Sequence, residues 1–471
     1  MQPLTSARRS TNKPILRSVT ANHGRVVRTS LNHETQEELY AGQRSQFADG
    51  ARQESGTASE TGRRRPRLGV FGHFGDINFG NESTLQSLLY HLRHRLPNSE
   101  ITCICTNPVA AGRAYNVTTA SMNGVALKPL WFRSNPFARL VRKLLIGIPS
   151  EPYRWIQAFG ILRRLDVLIV SGTGLLTDIS GLLNWGPYTV FKWTLMAKLC
   201  RCKVVFVSVG AGPVYGAVGR LLVRAALRLA DFRSYRDAAT KQFLDDLGFR
   251  TRRDKVYPDL AFSLPRTAIP ADEFPRGPRP VVGLGLMLYA GRQSVDRPSA
   301  TIYAEYLESL VVFVRWLLAH GYDVRLLTGD ICDRPAVRDF IGLLRQRSVL
   351  YDEGRVVDDP VSSVDDLLSQ LSRTDLVVAT RFHNVLLALL LNKPAISISF
   401  HQKCESLMSG MGLSEYCQDI KNLNAETLIR QFGDLRKDAP RLKYLIKEKT
   451  EQFRSDLDEQ YKVILEELPT G

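Results

Sequence analysis

An arginine and a histidine two positions apart, Arg381 and His383, are the residues of this chain best placed to do chemistry. They follow the apolar run Leu376-Val377-Val378-Ala379 and precede the apolar segment Val385 to Leu391, an order that reads as strand, turn and helix. In an open α/β sheet, ligands bind beyond the carboxyl ends of the strands, where the next helix offers unpaired N–H groups and a partial positive charge. If the turn stays extended, Phe382 points away while Arg381 and His383 share one side, an arrangement suited to an anion. The same residues are also compatible with an ordinary helix cap that carries a surface arginine and a core histidine.

Other strand ends carry glycine. Leu68 to Phe71 reads as a strand that runs into Gly72-His73-Phe74-Gly75-Asp76-Ile77-Asn78-Phe79-Gly80-Asn81-Glu82, with a helix expected from about Ser83 to Arg95. Asp166 to Val170 ends in Ser171-Gly172-Thr173-Gly174, and Lys203 to Val209 ends in Gly210-Ala211-Gly212-Pro213. Three such turns on one sheet edge suggest the rim of a cleft. Gly75, Gly172 and Gly174 would let backbone approach a ligand closely. Asp76 and Asn78 could hydrogen-bond a ligand or cap the first helix, Glu82 is expected to pin that helix, and His73 and His401 are weaker candidates.

The elements that must position these residues fall into two α/β units. Residues 68–265 form the first, and the Pro/Arg-rich stretch 266–280 reads as a linker. Residues 281–424 alternate strands and helices again, and 425–471 are mostly helical in pattern. The expectation is two facing, Rossmann-like, doubly wound domains that enclose a cleft.

Composition fits that size. The 471 residues are 44% hydrophobic and 23% charged, enough for two cores. The net charge of +16 implies acidic partners without choosing among nucleic acid, anionic lipid and small anions. Residues 1–67, with twelve Lys/Arg against six Asp/Glu, read as a disordered basic arm. Between Leu127 and Leu165, eight Lys/Arg face Glu151 alone and are interleaved with Trp131, Phe132, Phe137, Tyr153 and Trp155, which suits an anionic membrane surface or a packed helical pair. The seven cysteines include no C-x-x-C pair, so neither a metal site nor any other cofactor is expected, and reduced thiols fit a cytoplasmic chain. No run of about eighteen apolar residues exists, so no membrane span is expected, and the basic aromatic stretch makes peripheral attachment, at the inner face of the plasma membrane, the membrane contact to expect.

The ordered set G-x-x-G-D-x-N-x-G-N-E, S-G-T-G-L-L-T-D, G-A-G-P, Y-R-D and T-R-F-H, followed by N-K-P-A-I and Phe400-His401-Gln402-Lys403, resembles the polysaccharide pyruvyltransferase family over roughly residues 68 to 415. The resemblance implies a GT-B-like arrangement, phosphoenolpyruvate as donor substrate, and a glycan or lipid-linked sugar as acceptor, with a pyruvate ketal as product. It also implies that Arg236, Arg381 and His383 serve the donor as catalytic residues and that Lys403 lies near the site. Thr173 stands where relatives often have the middle of three glycines, so that loop departs from the pattern. A GT-B glycosyltransferase using a nucleotide sugar is the alternative, and a basic scaffold is a third reading. No specific nucleic-acid partner is expected, because a scaffold would leave the three glycine-rich strand ends unexplained.

Overall fold

The structure, a computed structural model, describes residues 64–75, 78–124, 148–177, 186–270, 277–291 and 297–466. Residues 1–63 of the basic arm, Asp76, and residues 125–147 of the basic aromatic stretch lie outside them.

The first sheet contains β1 (Arg67–Gly72), β2 (Glu100–Cys105), β3 (Thr118–Ser121), β4 (Val167–Ser171), β5 (Lys203–Val209), β6 (Phe232–Tyr235) and β7 (Lys255–Val256). All pair in parallel, in the order β3-β2-β1-β4-β5-β6-β7. Its helices are α1 (Phe79–Arg95), α2 (Pro108–Tyr115), α3 (Ile148–Leu162), α4 (Gly186–Leu199), α5 (Ala217–Leu229) and α6 (Ala238–Asp246). The second sheet, also parallel, contains β8 (Val281–Leu286), β9 (Asp323–Thr328), β10 (Val356–Val357), β11 (Leu376–Ala379), β12 (Ala395–Ser399) and β13 (Cys417–Asp419), in the order β10-β9-β8-β11-β12-β13. Its helices are α7 (Ser299–Ala319), α8 (Arg334–Gln346), α9 (Val364–Ser372), α10 (Phe382–Leu390) and α11 (Gln402–Gly410), followed by α12 (Ala425–Lys437) and α13 (Ala439–Glu466).

The central strands β4, β11 and β12 are buried at every position, as parallel strands covered by helices on both faces must be. Each sheet reverses its winding once, between β1 and β4 in the first and between β8 and β11 in the second. These are the crevices where doubly wound sheets bind ligands. The two carboxyl edges face each other directly: the Phe79 amide donates to the Gly329 carbonyl at 3.3 Å, and the Asn78 side-chain amide donates to Asp330 Oδ2 at 2.9 Å.

Two helices start earlier than expected. Asn78 Oδ1 accepts the N–H groups of Gly80 and Asn81, so α1 begins at Phe79, four residues before Ser83. Likewise α10 begins at Phe382, with Arg381 as its cap residue. Helix α13 then returns to the first domain. Gln460 accepts from Ser208 Oγ at 3.0 Å and donates to Ser234 Oγ at 2.6 Å, while Tyr461 stacks on His91 with ring centroids 4.2 Å apart. No helix among the described residues is long and apolar enough to cross a membrane.

Candidate active site

Strand β11 is followed by buried Thr380, whose hydroxyl meets the Tyr306 hydroxyl at 2.9 Å and fixes the exit of the chain. Arg381 keeps extended backbone (φ −73°, ψ 131°), and the helix starts at the next residue. The fully extended turn expected from the sequence therefore does not form. Along a helix successive side chains rotate by about 100° rather than alternating, so Arg381, Phe382 and His383 are sent in three directions.

Arg381 goes to Asp333. Its Nε and Nη2 each donate at 2.7 Å to the two carboxylate oxygens of this fully buried residue, which also accepts the Leu288 N–H at 2.9 Å. Burial works against the charge of Arg381, but the paired carboxylate outweighs it and holds the guanidinium pKa above its ordinary value. Burial raises the Asp333 carboxyl pKa, and Arg381 partly opposes the rise. A fork gripped on one edge in this way is rigid and keeps Nη1 for another partner.

Phe382 forms the floor between two cations. The Arg236 guanidinium carbon lies 4.9 Å from its ring centroid and the Lys403 ammonium 5.4 Å. Arg236 comes from the turn after β6, where Asp237 Oδ2 (3.5 Å) and Asp259 Oδ2 (3.4 Å) hold it loosely. Gly210, at the end of β5, makes room for it: a Cβ there would stand 2.5 Å from Arg236 Nη2.

His383 crosses to the first domain. A Cβ on Gly80 of α1 would lie 1.8 Å from its Nδ1, so the imidazole occupies the space a side chain would need. Its Nε2 is buried, 3.8 Å from Asp259 Oδ2, and has no hydrogen-bond partner among the described residues. Burial pushes its pKa down to about 4; Asp259 opposes the shift and Lys403, Arg236 and Arg381 add to it. The ring is thus neutral near pH 7. Burial and the neighbouring Arg236 and Arg381 also bring Lys403 down to about 8, against the opposing pull of Cys404 and Asp259. His401 caps α11 by accepting the Lys403 N–H and is lowered to about 4, chiefly by burial, then by Lys403 and Arg236. An adjoining cavity of about 560 Å³ is lined by Arg236, Asp259, Phe382 and Lys403 together with Tyr257 and Phe453.

The structure therefore gathers Arg236, Arg381, His383 and Lys403 into one cluster. In the glycine-rich loops, Gly75 and Gly172 allow close backbone packing. The Gly75 N–H donates to Glu82 Oε1 at 2.9 Å, and a Cβ there would strike the Asn107 carbonyl at 2.2 Å. Glu82 also accepts from the Tyr115 hydroxyl at 2.6 Å, so it pins α1 to its neighbours. Gly172 passes the Ser208 carbonyl, which a Cβ would meet at 2.3 Å, and Gly174 adopts a left-handed φ of +67° beside open space. Asn78, a candidate acceptor ligand, uses its side chain to cap α1 and to bridge the domains. Asp259, Asp333 and Gly80 escaped the sequence reading. Asp259 could have been found, since it follows β7 at the same sheet edge as the other turns.

The profile of the family described as Polysaccharide pyruvyl transferase matches residues 78–402, more than half of the chain. This protein belongs to the polysaccharide pyruvyl transferase family. Membership makes it a transferase acting on polysaccharide, and the matched span includes Arg236, Arg381 and His383. Among solved structures, UDP-GlcNAc 2-epimerase from Neisseria meningitidis, bound to UDP-GlcNAc, is similar at 12% identity and TM-score 0.51, covering 85% of this chain and 98% of that one. A glycosyltransferase from Rickettsia africae matches at 11% identity and TM-score 0.50, over 86% of this chain and all of that one. Another UDP-N-acetylglucosamine 2-epimerase matches at 13% identity and TM-score 0.52, over 85% and 97%. These likenesses place this pyruvyl transferase family member in the two-domain GT-B fold.

Proposed function

We propose that this protein transfers the pyruvyl group of phosphoenolpyruvate to two hydroxyls of a glycan or lipid-linked sugar, forming a cyclic ketal and releasing phosphate. The observation that carries the reading is the convergence of Arg236 and Lys403 on Phe382 at the wall of one cavity, with Arg381 and His383 beside them. Such a cluster is costly while empty and is relieved by a ligand with two anionic groups.

Phosphoenolpyruvate has those groups. Arg236 and Lys403, both on the cavity wall, would bind its carboxylate and phosphate, with Arg381 Nη1 completing the cradle. A bound polyanion raises the pKa of the adjacent imidazole, so His383 takes up a proton as the donor enters. That proton goes to C3, and C2 gains oxocarbenium character. One sugar hydroxyl attacks C2, phosphate leaves, and the second hydroxyl closes the ring. Of the two hydroxyl protons lost, one replaces the proton delivered to the new methyl group and the other leaves with phosphate. Asp259, 3.8 Å from His383 Nε2, is placed to stabilise the imidazolium form.

Nucleotide-sugar transfer is the competing reading, because the similar GT-B structures include one bound to UDP-GlcNAc. Calorimetry with phosphoenolpyruvate beside UDP-, GDP- and CMP-sugars separates the two. Binding of phosphoenolpyruvate with proton uptake, seen as a dependence of the heat on the buffer's ionisation enthalpy, is the expected result. Preference for a nucleotide sugar would overturn the proposal.

A further inference from the structure

Helices α3, α4 and α5 cover one face of the first sheet. Their inward residues, among them Ala158, Leu162, Trp193 and Val223, fill the core beneath. Their outward residues are not the polar set a solvated face requires. Tyr153 (55% exposed), Ile156 (66%), Phe159 (44%), Leu199 (65%), Val218 (70%) and Leu221 (59%) all stand in solvent. These six are half of the twelve large apolar side chains exposed among the described residues, yet they occupy three helices of thirteen. Tyr153, Ile156 and Phe159 recur every third residue, forming a stripe along α3. The Cys200 thiol, 4.0 Å from the Phe159 carbonyl, brings Leu199 beside that stripe.

The charges around these side chains are mostly positive, although Lys198 is paired with Asp231 just past α5. Residues 148–164, 186–201 and 215–228 hold nine Lys/Arg and a single acid, Glu151. Glu151 is already taken by Arg154, the Tyr188 hydroxyl and Lys192. A face evolved only for solubility intersperses both signs and avoids apolar clusters.

We infer that this three-helix face is a docking surface for an anionic lipid bilayer. The apolar side chains enter the headgroup boundary, and Arg163, Arg164, Arg201, Arg220 and Arg228 pair with lipid phosphates. A second copy of the chain fits badly, because two such faces would oppose cation to cation. Nucleic acid would use the arginines but gives solvent-exposed Ile156, Leu199, Val218 and Leu221 no role. The inference goes beyond the donor assignment and does not depend on it, although a lipid-linked acceptor would be met at such a surface.

The test is cosedimentation of the full chain with phosphatidylcholine vesicles, alone and mixed with phosphatidylglycerol, at low and high salt. Melting temperature serves as the folding control, and no donor is present, so failure of the pyruvyl transfer proposal would leave the result unchanged. Sedimentation with the anionic vesicles only, weakened by salt, is expected. The Ile156→Glu/Leu221→Glu double variant should lose about tenfold or more in partition, and Arg220→Ser and Arg228→Ser about fivefold each. Wild-type protein that stays in the supernatant overturns the inference. So does sedimentation unchanged in all the variants, which would assign the binding to another segment, or displacement by RNA with the apolar double variant indifferent.

Discussion

At the ends of β1, β4 and β5 the first sheet presents Gly72, Gly172 and Gly210, while at the ends of β9 and β11 the second presents Asp333, Arg381 and His383. Both sheets reverse their winding at the same place in the strand order, so topology alone does not distinguish the two edges. The difference lies in division of labour. The first edge supplies room, because its missing side chains let backbones and neighbouring groups approach closely, and adds one cation, Arg236, in the space left by Gly210; the second supplies Arg381, held by a buried carboxylate, and His383. His383 shows that the two depend on each other, since it occupies space made by Gly80 of the first domain.

The sharpest way to break this comparison is at the charged edge. His383→Ala should lower phosphate release from phosphoenolpyruvate by about 10² to 10³-fold, with circular dichroism and melting temperature near wild type. Arg381→Ala should also inactivate, but through a second effect that melting would reveal. It strands the Asp333 carboxylate in the core, at a cost of about 3 kcal/mol in stability. An His383→Ala enzyme with full activity would remove the imidazole from the mechanism.

The roomy edge is tested by filling it. Gly80→Ala in a helix would ordinarily stabilise by about 0.5–1 kcal/mol, but its Cβ would stand 1.8 Å from His383 Nδ1, and the ring must move. Activity should fall by about tenfold or more, since small displacements of a reacting group are costly. Gly342→Ala on α8, where a Cβ meets nothing within 4 Å, should leave turnover unchanged and hold or raise the melting temperature. Equal behaviour of the two variants would mean that space at Gly80 is not used by the site.

Much of this arrangement was legible before the structure, and the illegible part has a common cause. Apolar runs ending in glycine or in R-x-H identify parallel strands and their carboxyl ends because burial on both faces forces near-continuous hydrophobic sequence. The two-domain fold follows from repeating that pattern. The early starts of α1 and α10 were hidden because phenylalanine and glycine are weak helix signals, and the Asn78 cap of α1 acts through geometry. Asp333 was hidden for a different reason. A carboxylate at a helix start looks like any cap, and only the fold brings it to Arg381, forty-eight residues away in sequence. The return of α13 to the first domain through Gln460 and Tyr461 is likewise a long-range contact without a local signature.

The smallest expected effect sharpens the comparison by titrating the charged edge. Lys403 has a pKa of about 8 in the free protein, because burial and the two arginines disfavour its charge. A bound anion raises that pKa, so phosphoenolpyruvate binds the protonated form better. The gain is fully present below about pH 8 and disappears as pH rises through the pKa of the complex, with a limiting slope of about tenfold in Kd per unit. His383 behaves the same way from a lower start: free at about 4 and raised by the donor, it adds affinity as pH falls below its pKa in the complex. Calorimetric Kd values between pH 6 and 9 should therefore weaken on the alkaline side in wild type, and Lys403→Met should flatten that limb while keeping the acid one. A wild-type alkaline limb that survives in Lys403→Met would move the titrating cation elsewhere. If both limbs vanish in that variant, the lysine and the imidazole respond to the ligand as one coupled unit rather than as independent groups.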